Sequence, residues 1–199
     1  MLFRSTMGLI CSAVEVDFSG GGYILELRRP WGFSPEARRG SQGGLAWAQS
    51  IYLVRKLDVY SRSVKSEISL PGKYYVTDVG LRSAVIPLQS DDDGKRLENT
   101  VYLELLRRKS HNEELSYFDG AGECDFVVSE GDVAKRLVQV TWDMADVETR
   151  GREFSGLLKA AHATGCRDLV IVTRDEEGEE IHDGMTVRIV PVCKFLLSK

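Results

Sequence analysis

The run Leu169-Val170-Ile171-Val172-Thr173 shows no polar alternation, and this constrains the fold more than any other stretch. A strand that is apolar on both faces needs cover on both faces. A parallel or mixed sheet between layers of helices provides it. The preceding segment supplies one such layer. An amphipathic helix is expected from about Asp146 to Thr164, with Phe154, Leu157, Leu158 and Ala161 inward and Gly165 as its C′ residue. A second helix is expected over Lys95–Arg108, where Leu97, Val101, Tyr102 and Leu105 form the stripe and Glu98 borders it.

Between the two helices, short strands read as Leu115–Phe118, Glu123–Ser129 and Arg136–Trp142. Downstream, a polar loop (Asp175–Asp183) precedes a strand at Thr186–Val190 and a short helix at Cys193–Leu197. The order from residue 93 is α-β-β-β-α-β-β-α, and the fold class is α/β, a mixed sheet flanked by helices. Upstream, Val14, Val16 and Phe18 alternate, Ser19–Gly22 turns, and Tyr23, Leu25 and Leu27 alternate again, which reads as a β-hairpin. Residues 30–44 read as a loop or linker; Ile51–Tyr60 and Lys73–Asp78 read as β structure. Residues 1–45 are therefore expected as a hairpin and linker segment, and 46–199 as the main domain.

Composition excludes several classes. Hydrophobic residues make up 43% and charged residues 28%, as in an ordinary globular chain rather than a disordered one. No apolar run approaches the ~20 residues of a membrane helix. The start (MLFRSTMGLICSAVEVDF) has a weak apolar stretch cut by Gly8 and Ser12, and a signal peptide is not expected. Four cysteines (Cys11, Cys124, Cys166, Cys193) are too dispersed for a zinc motif and read as reduced thiols of a cytoplasmic protein. Residues 91–199 hold 15 basic and 23 acidic groups, so this part lacks the field of a non-specific DNA binder. Nucleic-acid contact there would rest on a bound metal or on local patches such as Arg107-Arg108-Lys109.

The stretch Gly122-Glu123-Cys124-Asp125-Phe126-Val127-Val128 is the best candidate for chemistry. Period two puts Glu123 and Asp125 on one face. The next strand offers Gln139 and Thr141 on one face, so antiparallel pairing would bring Asp125 and Gln139 together, with Glu98 completing the group from the helix before. Such oxygens suit a hard cation, which would generate hydroxide and polarise a phosphodiester. The bland alternative is that Glu123 and Asp125 are solvated charges guarding a strand edge. His111, His162 and His182 read as surface histidines, and Asp78 before Gly80 reads as an Asx turn. Trp47 and Trp142 read as core or interface anchors. Arg150 and Arg152 read either as phosphate contacts or as partners of Asp146, Glu148 and Glu153 along the helix.

The stretches KYYVTDVGLR (73–82), RLENTVYLELLRR (96–108), YFDGAGECDFVV (117–128), LVQVTW (137–142) and TRGRE (149–153) occur in this order and spacing. Together they resemble the C-terminal domain of unknown function that follows the ATPase module in a widespread group of prokaryotic AAA-type ATPases. The resemblance covers about residues 46–198 and implies the PD-(D/E)xK, restriction-endonuclease-like fold. It implies that Glu98, Asp125 and Gln139 stand at catalytic positions and that Glu98, Glu123 and Asp125 hold Mg²⁺ or Mn²⁺. It implies DNA, a homodimer or a partner ATPase as partners. Two departures are visible. Gln139 replaces the second acidic ligand, and Thr141 replaces the lysine that orients water and steadies the phosphate. Lys135 and Arg136 are the nearby candidates to replace that lysine. The chain also lacks GxxxxGK[ST], since Ser19–Tyr23 has no phosphate-reaching lysine, so ATP hydrolysis is not expected. The expectation is a metal-dependent nuclease-like domain. The alternative is a degenerate, non-catalytic module that binds DNA or protein, and a third possibility is dimerisation through the hairpin at 14–27.

Overall fold

The computed structural model describes residues 15–17, 24–26, 49–61, 72–80 and 93–198. The expected linker at 30–44, Cys11 and Trp47 lie outside these residues. Contacts divide the chain into two units, one of residues 1–56 with 73–90 and one of 57–72 with 91–199.

In the first unit, β1 (Glu15–Asp17) pairs antiparallel with β2 (Ile24–Glu26), Val16 facing Leu25. This is the hairpin that the alternation predicts. β3 (Val54–Leu57) and β4 (Lys73–Val76) form a second two-stranded sheet. Beyond β4, the Asp78 carboxylate accepts from Gly80 N–H at 2.7 Å, the Asx turn read from the sequence.

The second unit holds α1 (Asp93–Arg108), β5 (Glu113–Asp119), β6 (Glu123–Glu130), β7 (Val133–Val140), α2 (Val147–Thr164), β8 (Leu169–Thr173), β9 (Gly178–His182), β10 (Met185–Pro191) and α3 (Val192–Leu197). Six strands form one mixed sheet in the order β5-β6-β7-β8-β10-β9. β5, β6 and β7 pair antiparallel; β7, β8 and β10 run parallel; β9 returns antiparallel on β10. All five residues of β8 are buried, as the opening run requires. Leu169 and Ile171 join the cluster under α2 with Val127, Leu137, Val187, Phe154 and Leu157. The alternate residues face the other way, where Tyr102 of α1 packs on Phe126 at 6.1 Å between ring centres. α2 therefore covers one face, and α1 and α3 cover the other.

One element departs from the sequence reading. Residues 178–182, expected within a polar loop, form the edge strand β9. Asp183 and Gly184 both take positive φ (51° and 72°) and close a two-residue hairpin to β10. That is the turn for which Asp-Gly is the standard sequence.

α2 ends as expected at a left-handed Gly165 (φ 76°), and Asp146 caps its start by accepting from Thr149 N–H. α1 is tied to α3 by an ionic group built on the buried Glu104. The Glu104 carboxylate accepts from Arg107 and from Arg108 Nε at 2.5 Å. Arg108 also donates to the Phe195 carbonyl and lies 5.0 Å over the Phe195 ring. The Arg107 hydrogen bond, with help from Arg108, outweighs burial and holds the Glu104 carboxyl down at about 2 instead of 4.5.

A carboxyl depressed in the fold stabilises above its unfolded value and loses that contribution as pH falls toward its folded value. Glu104 is nearly buried, but Arg107 is well exposed and screened by solvent, so the contribution has a ceiling of about 3 kcal/mol. Stability of the wild type should therefore fall between pH 4.5 and 2 in a way that Glu104→Gln largely flattens. Chemical denaturation across that range checks it.

Candidate functional site

The site grows from the rung beyond the apolar rung of the sheet. Val127, Leu137, Leu169 and Val187 lie side by side under α2. The next rung brings Gln139 beside Ile171, with Asp125 across from it on β6. Asp125 and Gln139 do converge, as antiparallel pairing predicted. The Asp125 N–H donates to Gln139 Oε1 at 3.2 Å, and Val140 N–H donates to Asp125 Oδ2 at 3.0 Å. Gln139 Nε2 then donates to Glu153 Oε2 on α2 at 2.7 Å. The amide has one chemically sensible orientation here, because its oxygen meets an N–H and its nitrogen meets a carboxylate. Asp125, Gln139 and Glu153 are all buried, at 7%, 8% and 8% exposure.

α2 comes close enough for this bridge because two glycines remove side chains from the contact. A Cβ on Gly122 would lie 2.7 Å from the Gly156 carbonyl, and one on Gly156 would lie 2.8 Å from the Glu123 carbonyl. Gly156 follows Glu153 by three residues and so shares its side of the helix. Glu153 occupies the core stripe itself, four residues before Leu157 and eight before Ala161, where an apolar residue is the norm. That misplaced glutamate was the available sequence signal for a third member of the site, and the pairing assigned to it along the helix concealed it. The contact that forms is instead with its sequence neighbour Arg152, which reaches Glu153 Oε1 at 2.9 Å. Arg150 instead crosses to Glu176 and Glu180.

Glu123 is exposed at the start of β6. Glu98 is half-buried on α1, the helix that covers the face opposite α2. Thr141 is buried, with its N–H on the Val172 carbonyl and its hydroxyl donating to the Asp143 carbonyl at 3.3 Å. Lys135 pairs with Glu130 at the far end of the β6–β7 hairpin, five residues along β6 from Asp125, or roughly 17 Å. Arg136 pairs with Asp168 at 2.7 Å. Neither takes the lysine position that the resemblance implies. Of the basic patch, Arg107 and Arg108 are held by Glu104, and Lys109 donates to the Glu113 carbonyl. His182 is no free surface histidine, since its ring stacks 4.4 Å from Phe154 and meets Glu180 at 2.8 Å. Trp142 is half-buried under the Arg174 guanidinium. Cys124, Cys166 and Cys193 are not in disulfides, and burial pushes the Cys166 thiol up. Among the described residues, no three histidine, cysteine, aspartate or glutamate side chains form a group that could hold a metal ion. None of the described helices is long and apolar enough to cross a membrane.

Compared with known proteins, the chain matches no family model, no curated protein and no solved structure.

The bridge makes two predictions. Gln139→Leu strips the donor from Glu153 and the acceptor from Asp125 N–H, and should cost roughly 1–3 kcal/mol in urea unfolding. Gly156→Ala should destabilise by about as much despite its gain in helix propensity, because the Glu123 carbonyl at 2.8 Å cannot yield as a side chain would. Gly151→Ala is the control. Its Cβ meets nothing within 4 Å, so propensity alone should raise stability by about 0.5–1 kcal/mol.

Proposed function

We propose that residues 46–199 are a nuclease-like domain that has exchanged catalysis for binding: a degenerate PD-(D/E)xK module that recognises a protein partner. The observation that carries this reading is the use of Gln139. Its oxygen, which would have to face a cation, accepts from Asp125 N–H, and its nitrogen donates to Glu153. Asp125 Oδ2 and both oxygens of Glu153 also receive protein N–H donors. Mg²⁺ or Mn²⁺ requires several oxygens turned toward one point, most of them charged. This donor set, arranged as it is, does not fit such an ion. Thr141 adds no charge to orient water or steady a phosphate. No chemical step is therefore derived for this domain.

A protein partner is favoured over DNA by charge. Residues 91–199 are acidic in balance, and their basic groups are spent internally: Arg107 and Arg108 on Glu104, Arg136 and Arg188 on Asp168, Lys194 on Glu177. Few cations remain for a phosphate backbone, whose neutralisation drives non-specific affinity. The free thiols support a cytoplasmic setting, and a partner ATPase or a second copy of the chain remains within the reading.

Calorimetric titration of Mn²⁺, with Asp125→Asn as control, tests the loss of catalysis. The expected result is no binding heat at millimolar metal and no cleavage of single-stranded or branched DNA. Metal binding that vanishes in Asp125→Asn, together with metal-dependent cleavage, would overturn the proposal.

A further inference from the structure

β9 ends the six-stranded sheet, with β10 on one side and no described strand on the other. The hairpin decides which of its backbone groups face outward. His182 and Met185 flank the Asp183-Gly184 turn as the closing hydrogen-bonded pair. In an antiparallel ladder this turns Glu180 and His182 toward β10 and leaves the N–H and C=O of Glu179 and Ile181 pointing away from the sheet. The side chains of these two residues share a face. Ile181 is 75% exposed. Glu179 is exposed, and among the described residues it makes no ion pair, whereas Asp175, Glu176, Glu177 and Glu180 each have a basic partner.

An edge strand is commonly guarded by charge, but here the charge has one sign. Arg174–Gly184 holds six carboxylates and one arginine. Two copies of β9 side by side would oppose like charges. The strand is also held rigid from behind. Arg150 of α2 bonds both Glu176 and Glu180, and the His182 ring stacks on Phe154. Little ordering is left to be done on this side of a complex.

We propose that the β9 edge docks an extended basic segment of a partner protein, which adds to the sheet as one further strand. Main-chain bonds go to Glu179 and Ile181; a lysine or arginine sits beside Glu179, and a β-branched apolar side chain beside Ile181. This surface is separate from the Asp125 cluster, so the metal titration and the test below fail independently.

The probe is a fluorescein-labelled peptide of alternating lysine and valine, titrated into the full chain by anisotropy. Amide exchange is followed by mass spectrometry. The expected result is saturable binding that slows exchange at Glu179 and Ile181 by about tenfold or more. Ile181→Pro should abolish binding, because it removes an outward N–H and no bond to β10. Glu179→Lys should weaken binding about tenfold and shift preference toward a glutamate–valine peptide. If Ile181→Pro loses its circular dichroism signal, Glu179→Lys carries the test. Absence of binding, binding without protection at these two amides, or unchanged affinity in Glu179→Lys would each overturn the proposal.

Discussion

Two carboxylates inside the wall of a hydrophobic core are a large cost unless each receives hydrogen bonds; Val140 N–H supplies one to Asp125, and the amide of Gln139 supplies one to Glu153. It joins β6, β7 and α2 in one chain of contacts: Asp125 N–H to the amide oxygen, then the amide nitrogen to Glu153. The chain closes only because Gly122 and Gly156 let strand and helix backbones approach. Each member thus depends on a feature remote in sequence. The strand pairing sets Asp125 against Gln139, and the glycine contact sets the height of Glu153.

The layered architecture was legible because its signals are local and periodic. The five apolar residues of β8 demanded cover on both faces, and the stripes of α1 and α2 supplied it. Convergence of Asp125 with Gln139 followed from period-two alternation once the strands were taken as neighbours. Two features escaped for different reasons. β9 alternates between exposed and half-buried positions and has no apolar face, so a composition that reads as loop hid a strand, although Asp183-Gly184 marked its hairpin. Glu153 escaped because its arginine neighbours offered an adequate local partner, whereas its position on the stripe with Leu157 and Ala161 was the stronger signal.

Helix and strand residues differ in how far their own sequence places them. Glu98 borders the stripe of α1, which covers the face of the sheet opposite α2. Gln139 reaches Glu153 of α2. A helix residue can be assigned to a site only when the face of the sheet it covers is known, and no periodicity in the helix itself carries that information. Strand residues are different, because alternation fixes their face relative to every neighbour in register.

Gln139 and Thr141 make physical sense together. A second acid at 139 would place three carboxylates in one buried rung, which is tolerable only with a cation among them. An amide accepts from the Asp125 N–H and donates to the Glu153 carboxylate with no cation. Once the cation is unnecessary, a lysine at 141 would be a buried charge with no phosphate or water to act on, and threonine closes its own hydrogen bond to Asp143 instead. The rung then holds the sheet to α2 in the absence of any ligand. The proposed recognition then resides elsewhere: the acidic edge at β9, braced by Arg150 and Phe154, is where backbone, charge and exposed apolar surface coincide.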